Sequence, residues 1–463
     1  MNSSSKPTLL RKMNLIDTVF LVIGSVIGSG IFMTTGYIAG YLPSPFLILI
    51  ICLTGGLVTL AGALSFAELG AMFPKAGGPY IYLREAYGSP AGFLYGWAFF
   101  AVIQCGGAAA LAVGFAEYFG TFFPLFSTKN IILESSALGI PYSLSAGQLI
   151  AVLSIVLLSA INYFGIRSGV VVQNIMTLIR LGSLAALVVF GLLIGNKAGV
   201  QTMPQFFSGM SSFTFGAFGL AFIAMLWTYD GWYSASCAAG EISRPEKNVP
   251  KGLIIGTAIV ALAYLLTNLV YVLALPIDRM KNVAAIGETA AFQLFGPGIS
   301  ILITGLIGIS IFGCLSATII YGPRVFFAMA EDGYFFRSMS FIHPRYRVPT
   351  RAITGQAIWA SILCLSGTFQ ALYEYVVFAL VIFFAAGGLA VLVLRYRQPK
   401  TPRPYKTWGY PVVPLFFVLI NLAVLINTLY NQPMKSLIGL GILVVGLPAY
   451  MYWKNKIGQT QSG

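Results

Sequence analysis

The residues Gly24-Ser25-Val26-Ile27-Gly28-Ser29-Gly30-Ile31 decide how this chain folds, because they interrupt an apolar segment long enough to span a bilayer. Three glycines fall within seven residues, where a membrane-spanning helix should be most regular. In hydrocarbon an unpaired backbone N–H or C=O group costs several kcal/mol, so a broken helix persists only where it lines a cavity. A bound polar ligand can pair the freed groups. The interruption is therefore a candidate binding site.

The composition places this segment in a membrane protein. Of the 463 residues, 58% are hydrophobic and 9% are charged, against about 25% charged residues in a soluble domain. Apolar runs fill the chain from about residue 15 to about 453, which predicts an all-α protein that crosses the bilayer many times. The basic start followed by an apolar run resembles a signal peptide. We interpret it as the first span, because the run is too long and lacks a small-residue cleavage site.

The apolar runs predict about twelve transmembrane helices. Their expected positions are 15–41, 45–70, 90–120, 145–164, 168–195, 213–240, 252–275, 298–330, 351–369, 371–395, 411–431 and 436–453.

The distribution of Lys and Arg predicts the orientation of these spans. With the N-terminus inside, only five of the 27 lysines and arginines fall on the outer side, namely Lys129, Lys197, Arg279, Lys281 and Lys435. Cytoplasmic loops carry such an excess of positive charge. The net charge of +14 is also compatible with binding to nucleic acid or anionic lipid, but loop asymmetry accounts for it, and we expect no nucleic-acid partner. The expectation is a multi-pass protein of the plasma (inner) membrane with both termini cytoplasmic.

A second interruption, Trp227-Thr228-Tyr229-Asp230-Gly231-Trp232, falls midway through the sixth predicted span. Spans one and six occupy matching places in two halves of five spans, and an odd number of spans forces the halves into opposite orientations. Interrupted segments at matching positions are typical of secondary transporters with inverted repeats and a binding site at the membrane midplane. The predicted organisation is a tail (1–14), a first repeat (15–195), a second repeat (213–395), two further spans (411–453) and a second tail (454–463).

The freed backbone groups favour a zwitterionic ligand. A half-helix that begins after Gly28 points its free N–H groups at the bilayer centre, so the amides of Ser29, Gly30 and Ile31 form an anion cradle. The half-helix that ends near Ser25 and Val26 leaves carbonyls that accept from an ammonium group. The break in span six adds the carbonyls of Trp227 and Asp230, and the Trp227 ring can cover the ligand. An α-amino acid has both complementary ends.

Two ionisable residues lie at hydrocarbon depth, where charge is costly and indicates function by default. Asp230 either caps the second half of span six or contacts a substrate ammonium. Arg180 either takes the place of a coupling cation or forms a structural bond to helix-end carbonyls, and it cannot carry protons as a lysine can.

Other polar residues give weaker signals. The five cysteines fall in apolar runs and are interpreted as small buried hydrophobic side chains. Glu68, Glu85 and Glu241, at span ends, are expected to pair with loop Lys or Arg. With one histidine and no cysteine cluster, the chain offers no ligand set for a membrane-embedded enzyme or electron carrier, and we expect no cofactor and no metal. The ring-like charge patterns of a channel are not found.

Several stretches resemble the amino acid–polyamine–organocation superfamily, in particular its L-type amino acid transporter branch and the bacterial serine/threonine and alanine–serine–cysteine exchangers. Besides the first break through Phe32, they are Phe66-Ala67-Glu68-Leu69, Pro74-Lys75-Ala76-Gly77-Gly78-Pro79-Tyr80, Tyr229-Asp230-Gly231-Trp232, Glu241-Ile242-Ser243-Arg244-Pro245-Glu246-Lys247-Asn248-Val249-Pro250, Ala263-Tyr264-Leu265-Leu266-Thr267-Asn268-Leu269 and Pro323-Arg324-Val325-Phe326-Phe327-Ala328-Met329-Ala330.

The resemblance implies a five-plus-five inverted-repeat (LeuT-like) fold with unwound helices 1 and 6, and transport without sodium, often by exchange. It implies carboxylate binding by the amides of Ser29, Gly30 and Ile31, and amine binding by the carbonyls of Val26, Trp227 and Asp230. Trp227 corresponds to an aromatic lid that is usually phenylalanine, Arg180 to a cation that is commonly lysine, and Tyr264 to a tyrosine near the inner gate.

Departures from the family pattern refine these expectations. Arginine at 180 argues against proton coupling there, and the large Trp227 favours small substrates. The loop at about 121–142, where the animal branch is linked by a disulfide to a glycoprotein, contains no cysteine, so no disulfide-linked heavy subunit is expected. The sequence thus predicts a secondary transporter that exchanges small neutral L-amino acids by alternating access, with amino acid and membrane lipid as partners. The alternative is transport of cationic amino acids or polyamines, because Asp230 can hold a second ammonium group.

Overall fold

The protein is mostly helical in a computed structural model that describes residues 8–135, 142–210, 214–366 and 369–461. The helices of the first part are α1 Leu15–Val26, α2 Gly30–Tyr41, α3 Pro45–Met72, α4 Pro79–Tyr87, α5 Ser89–Ala98, α6 Gln104–Phe122, α7 Ala146–Tyr163, α8 Ile166–Leu193, α9 Met203–Phe206 and α10 Phe215–Thr228. Those of the second part are α11 Ser234–Cys237, α12 Pro245–Ala274, α13 Ile277–Met280, α14 Ile286–Phe295, α15 Pro297–Tyr321, α16 Pro323–Glu331, α17 Thr350–Cys364, α18 Phe369–Arg397, α19 Val412–Asn431 and α20 Pro433–Gln461.

Nine helical stretches in the described residues are long and apolar enough to cross a membrane. Helices also occupy the other predicted spans, but α17 has 15 residues and α10 has 14. The nine stretches are Leu15–Tyr41, Pro45–Met72, Ser89–Phe122, Ala146–Tyr163, Ile166–Leu193, Pro245–Ala274, Pro297–Glu331, Val376–Arg397 and Val412–Asn431.

The first span is broken where the glycines predict. A capping box starts α1, since the Asn14 side chain accepts from the Asp17 amide and the Asp17 carboxylate accepts from the Asn14 amide. The helix ends at Val26, Ile27 is extended, and α2 begins at Gly30. Two short helices thus occupy one span.

The second break lies slightly later than the sequence indicates. α10 continues through Trp227 and ends at Thr228, and the chain turns through 229–233, with Gly231 at a φ of +94°. α11 has four residues and its N-cap is Tyr233. The alternative that Asp230 caps the second half of this span is therefore wrong, because Asp230 lies within the turn.

The broken helices lie at the centre of the bundle. α1 packs against α12, α8 and α15, while α10 packs against α2. Small residues allow these close approaches: a Cβ on Gly252 of α12 would lie 2.5 Å from the Thr18 methyl, and one on Gly256 would lie 2.7 Å from Val22. Such small-residue contacts are the usual means of helix packing in membranes.

Several elements outside the spans were not predicted. The loop at 121–142 contains a strand, β1 Ile131–Ser135, that pairs antiparallel with β2 Tyr142–Ser145. Residues 136–141 of that loop, 1–7 of the first tail and 462–463 of the second lie outside the described residues. α20 continues through the predicted second tail as far as Gln461.

The described part of the first tail is attached to the segment after the second break. Met13 forms a parallel bridge with Ile242. The Met13 amide donates to the Glu241 carbonyl at 3.0 Å, and the Ser243 amide donates to the Met13 carbonyl at 2.8 Å. This connection brings the start of α1 next to the end of the second break.

Candidate functional site

The start of α2 presents free backbone amides. Ser29 is the N-cap of α2, and among the described residues no backbone carbonyl accepts from the amides of Ser29, Gly30 or Ile31. The first amides of any helix lack partners within that helix, and the positive end of its dipole lies there. The Ser29 hydroxyl is also buried, with no hydrogen-bond partner in the described structure. This helix start can therefore bind an anionic group.

The end of α1 presents carbonyls that already have one partner each. The Tyr264 hydroxyl donates to the Val26 carbonyl at 2.8 Å. The Cys314 thiol donates to the Ser25 carbonyl at 3.1 Å. A carbonyl oxygen has two lone pairs, so both oxygens retain the capacity to accept from a substrate ammonium.

Arg180 binds the same helix end from the other side. Its Nη1 donates to the carbonyls of Gly24 and Ile27, the latter at 2.9 Å, and its Nε donates to the Met176 carbonyl at 3.2 Å. The side chain is completely buried in α8. The guanidinium therefore supplies a fixed positive charge where the carbonyl end of α1 is negative.

A central cavity connects the two breaks. It is narrow in this conformation, with about 30 Å³ open to water-sized molecules. Six of the residues predicted to bind substrate line it: Val26, Gly28, Ser29, Gly30, Trp227 and Asp230. Ile31, Arg180 and Tyr264 are not among the lining residues; Arg180 and Tyr264 reach the site through the carbonyls of α1.

The glycines of the first break serve the packing of neighbouring helices. A Cβ on Gly28 would lie 2.6 Å from the Cys314 sulfur, and one on Gly30 would lie 2.6 Å from the Thr228 Cα. Only glycine lets α15 and α10 approach the break so closely.

The two breaks contact each other directly. A Cβ on Gly231 would lie 2.5 Å from the Ser25 carbonyl oxygen, and the positive φ of Gly231 also requires glycine. Next to it, Asp230 lines the cavity, and its Oδ1 is buried with no hydrogen-bond partner among the described residues. This carboxylate oxygen is therefore available to a cationic group in the cavity.

Helices α6 and α15 form the rest of the cavity wall, which sequence reasoning missed. Gln104 begins α6 directly after a π-helical turn, Phe99–Ile103, and its side-chain Nε2 donates to the Thr318 carbonyl at 2.6 Å. Two neighbouring glycines of α6 differ in their surroundings: Gly106 packs near Val376, whereas a Cβ on Gly107 would meet no atom within 4 Å. The remaining lining residues are Ser25, Ile103, Leu111, Cys314 and Tyr321.

The expected ion pairs at the span ends are present. Glu241 and Arg324 form a bidentate pair at 2.6 and 3.0 Å, with exposed fractions of 0% and 1%. Glu68 binds Arg395 at 2.7 and 2.9 Å, and Glu85 binds Arg84 at 2.8 Å. In the part of the chain that the structure describes, no three His, Cys, Asp or Glu residues converge as a metal site would require.

Apolar spans around two broken helices, with free backbone groups facing one cavity, are the architecture of a multi-pass membrane transporter. The chain belongs to the amino acid permease family, whose model matches residues 13–447. It is an amino acid transporter of the superfamily that the motifs indicated.

Individual relatives match over most of their length. The serine/threonine exchanger SteT of Bacillus subtilis (strain 168) is 35% identical over 97% of this chain and 98% of its own. The human b(0,+)-type amino acid transporter 1 is 28% identical over 92% of this chain and 84% of its own. The human cystine/glutamate transporter is 27% identical over 97% of this chain and 87% of its own. These relatives are transporters and exchangers.

Proposed function

We propose that this protein is a sodium-independent exchanger of small neutral L-amino acids that works by alternating access. The observation that supports this most directly is the pairing of free amides at 29–31 with partly occupied carbonyls at 25–26 across one cavity. An α-carboxylate and an α-ammonium complete these two sets of groups. The name of the Bacillus subtilis relative, a serine/threonine exchanger, supports the small, neutral class.

Each predicted residue has a role in this proposal. The amides of Ser29, Gly30 and Ile31 bind the carboxylate, with Gly28 opening the approach. The carbonyls of Val26, Trp227 and Asp230 accept from the ammonium group. The Trp227 ring covers the substrate, and Tyr264 holds the Val26 carbonyl in place through its 2.8 Å bond.

Arg180 supports independence from sodium. In transporters with broken helices, the carbonyl ends of half-helices help to form the site of the coupling cation. Here the Arg180 guanidinium donates hydrogen bonds to the carbonyls of Gly24 and Ile27. Because arginine stays protonated in proteins, this charge is permanent, and exchange then depends on the amino acid gradients alone.

The size of the cavity supports small substrates. Trp227, Ile103 and Leu111 narrow the cavity, and only about 30 Å³ of it is open to water-sized molecules, so a large side chain does not fit in this conformation. The amide of Gln104 and the backbone near Thr318 give one wall a polar surface, which suits a short side chain with a hydroxyl group.

The proposal includes the architecture predicted above. It comprises twelve spans, repeats at 15–195 and 213–395, two additional spans within 411–453, and tails 1–14 and 454–463 on the cytoplasmic side of the plasma membrane. It also includes function without an enzyme activity, a cofactor or a disulfide-linked heavy subunit.

Uptake by proteoliposomes tests the proposed exchange. Vesicles preloaded with unlabelled serine should take up labelled serine, threonine or alanine much faster than empty vesicles, with or without Na⁺ and with or without a proton gradient. Equal uptake by empty vesicles would contradict exchange. Uptake that requires Na⁺ would contradict the role given to Arg180.

Cationic amino acids or polyamines are the second candidate substrates, because the buried Oδ1 of Asp230 has no partner among the described residues. Competition separates the two classes. The cationic class is supported if arginine or putrescine competes with labelled alanine as strongly as serine does. In that case Asp230→Asn should abolish competition by arginine and putrescine but not competition by serine. If neither arginine nor putrescine displaces labelled alanine, the neutral class is supported.

A further inference from the structure

A second, larger groove lies between α7 and α17, away from the central cavity. About 600 Å³ there is open to water-sized molecules, and its walls include Val156, Ile358 and Ile362. These three side chains are 49–59% exposed, so they face the surroundings of the bundle. The lining runs along α7 from Val152 to Phe164. At 1.5 Å per residue that is about 18 Å, close to the ~15 Å thickness of one hydrocarbon leaflet.

Two hydroxyl residues interrupt the apolar wall toward one end of the groove, and Ser361 adds a third toward the other end. Ser159 on α7 is 7% exposed, and its hydroxyl has no hydrogen-bond partner among the described residues. Thr354 on α17 donates to the Thr350 carbonyl at 3.1 Å, which leaves its oxygen free to accept. Counted along the helices, Thr354 lies about 1.5 Å from Ile353 and Ser159 about 7.5 Å from Phe164, the residues that form one end of the groove. In a phospholipid the ester groups lie between the phosphate and the acyl chains, and these hydroxyls lie between the end of the groove and its apolar wall.

The same end of the groove is positively charged. The Tyr346 ring packs 5.4 Å from that of Phe164, a lining residue, and the Arg345 guanidinium lies 5.6 Å from the Tyr346 ring. Arg351, in the first turn of α17, precedes the lining residues Ile353 and Thr354. Both arginines are exposed, and neither forms an ion pair within the described chain.

We propose that this groove is a binding site for one anionic phospholipid. An acyl chain lies between α7 and α17, the ester oxygens meet Ser159 and Thr354, and the phosphate meets Arg345 and Arg351. The grading from apolar wall to hydroxyl to guanidinium matches the length of such a lipid. An apolar helix from a partner would leave the Ser159 hydroxyl and both arginines unpartnered, and a zwitterionic lipid would bring its own ammonium group close to them.

Native mass spectrometry of the full-length protein tests the site. The protein is reconstituted in vesicles of phosphatidylcholine with a minor fraction of phosphatidylglycerol, extracted in mild detergent, and its bound lipids are counted. One phosphatidylglycerol should be retained in preference to phosphatidylcholine. Each arginine near a membrane surface contributes about 1 kcal/mol to binding of anionic lipid, so Arg345→Gln and Arg351→Gln should each lower that preference about fivefold.

Matched variants distinguish lipid binding in this groove from lipid binding elsewhere on the protein. Ala160→Trp, which fills the groove, should remove the bound lipid, whereas Leu153→Trp on an exposed face of the same helix should not. Lys400→Gln with Lys406→Gln removes two exposed charges elsewhere and should leave the preference unchanged. Retention that is equal for both lipids, or unaffected by the arginine variants, would overturn the proposal. So would a wild-type dimer that Ala160→Trp converts to monomer, since a second copy would then fill the groove.

Discussion

At the scale of single residues, the glycines near the cavity divide into two kinds. Gly28, Gly30 and Gly231 allow backbone segments to approach closely, because a Cβ on any of them would lie 2.5–2.6 Å from another atom. Gly107 instead borders empty space. Substitution of the first kind therefore disturbs the packing of the breaks, while substitution at Gly107 changes only the room left for a substrate.

Gly107→Ala is expected to narrow substrate selectivity without loss of folded protein. One methyl group in a hydrophobic pocket changes discrimination by about 10–200-fold, so uptake of threonine should fall at least about tenfold relative to uptake of glycine. The measurement is competition between the two labelled substrates in proteoliposomes.

Gly182→Ala is the matched control for this variant. Gly182 is an exposed helical glycine whose Cβ would also meet no atom within 4 Å. An equal change in both variants, or none in Gly107→Ala, would argue that the substrate does not extend toward α6.

Arg180→Ala is expected to impair exchange and lower thermal stability. The change leaves two buried carbonyls without their charged partner, and a buried polar group left unsatisfied costs about 1–3 kcal/mol. Exchange rates and the unfolding midpoint in detergent are the measurements.

The exposed Arg167 on the same helix provides the comparison, since Arg167→Ala should change neither quantity. If Arg180→Ala keeps its exchange rate and loses only stability, the charge is purely structural.

The break in the first span could be predicted from the sequence, because backbone chemistry carries a sequence signal there. Clustered glycines in an apolar run predicted the break at 27–29, and Asp230 was prominent as a lone charge. Gln104, Thr318 and Tyr321 were missed because α6 and α15 are buried over much of their surface. Such helices carry no amphipathic pattern to indicate which face meets the cavity.

At the scale of secondary-structure elements, hydropathy predicted the long helices well. It missed α4, α14 and the β1–β2 hairpin, which are short and mixed in polarity, so an average over a span length does not detect them. The second break was placed too early because Trp227 and Thr228 remain helical, with the Thr228 hydroxyl bonded to the Ala224 carbonyl at 2.8 Å.

The Glu241–Arg324 pair ties the segment after the second break to α16, and removal of one partner should be strongly destabilising. Both side chains are fully buried, and loss of one member of a buried pair costs about 3–5 kcal/mol. Glu241→Gln should therefore lower the unfolding midpoint markedly.

Replacement of both partners checks that reasoning. Glu241→Leu combined with Arg324→Met leaves no uncompensated charge, and such replacements are often neutral. The double variant should be more stable than Glu241→Gln. A double variant that is the less stable of the two would show that the pair contributes net stability beyond mutual neutralisation.

At the scale of the whole molecule, the asymmetry of Lys and Arg makes the orientation testable. All five native cysteines are buried, so a membrane-impermeant maleimide should label them little. Lys129→Cys, at an exposed position, should be labelled on intact cells, and Lys400→Cys only after permeabilisation. The opposite pattern would invert the proposed topology.

The short bridge between Met13 and Ile242 has a mechanical consequence. α1 begins two residues after Met13, and the bridge follows the turn at 229–233 by less than ten residues. Because the bridge joins the start of α1 to the segment after the second break, we expect a displacement of one to be transmitted to the other. Met13→Pro removes the amide that donates to the Glu241 carbonyl, so this variant is expected to let the two segments move independently.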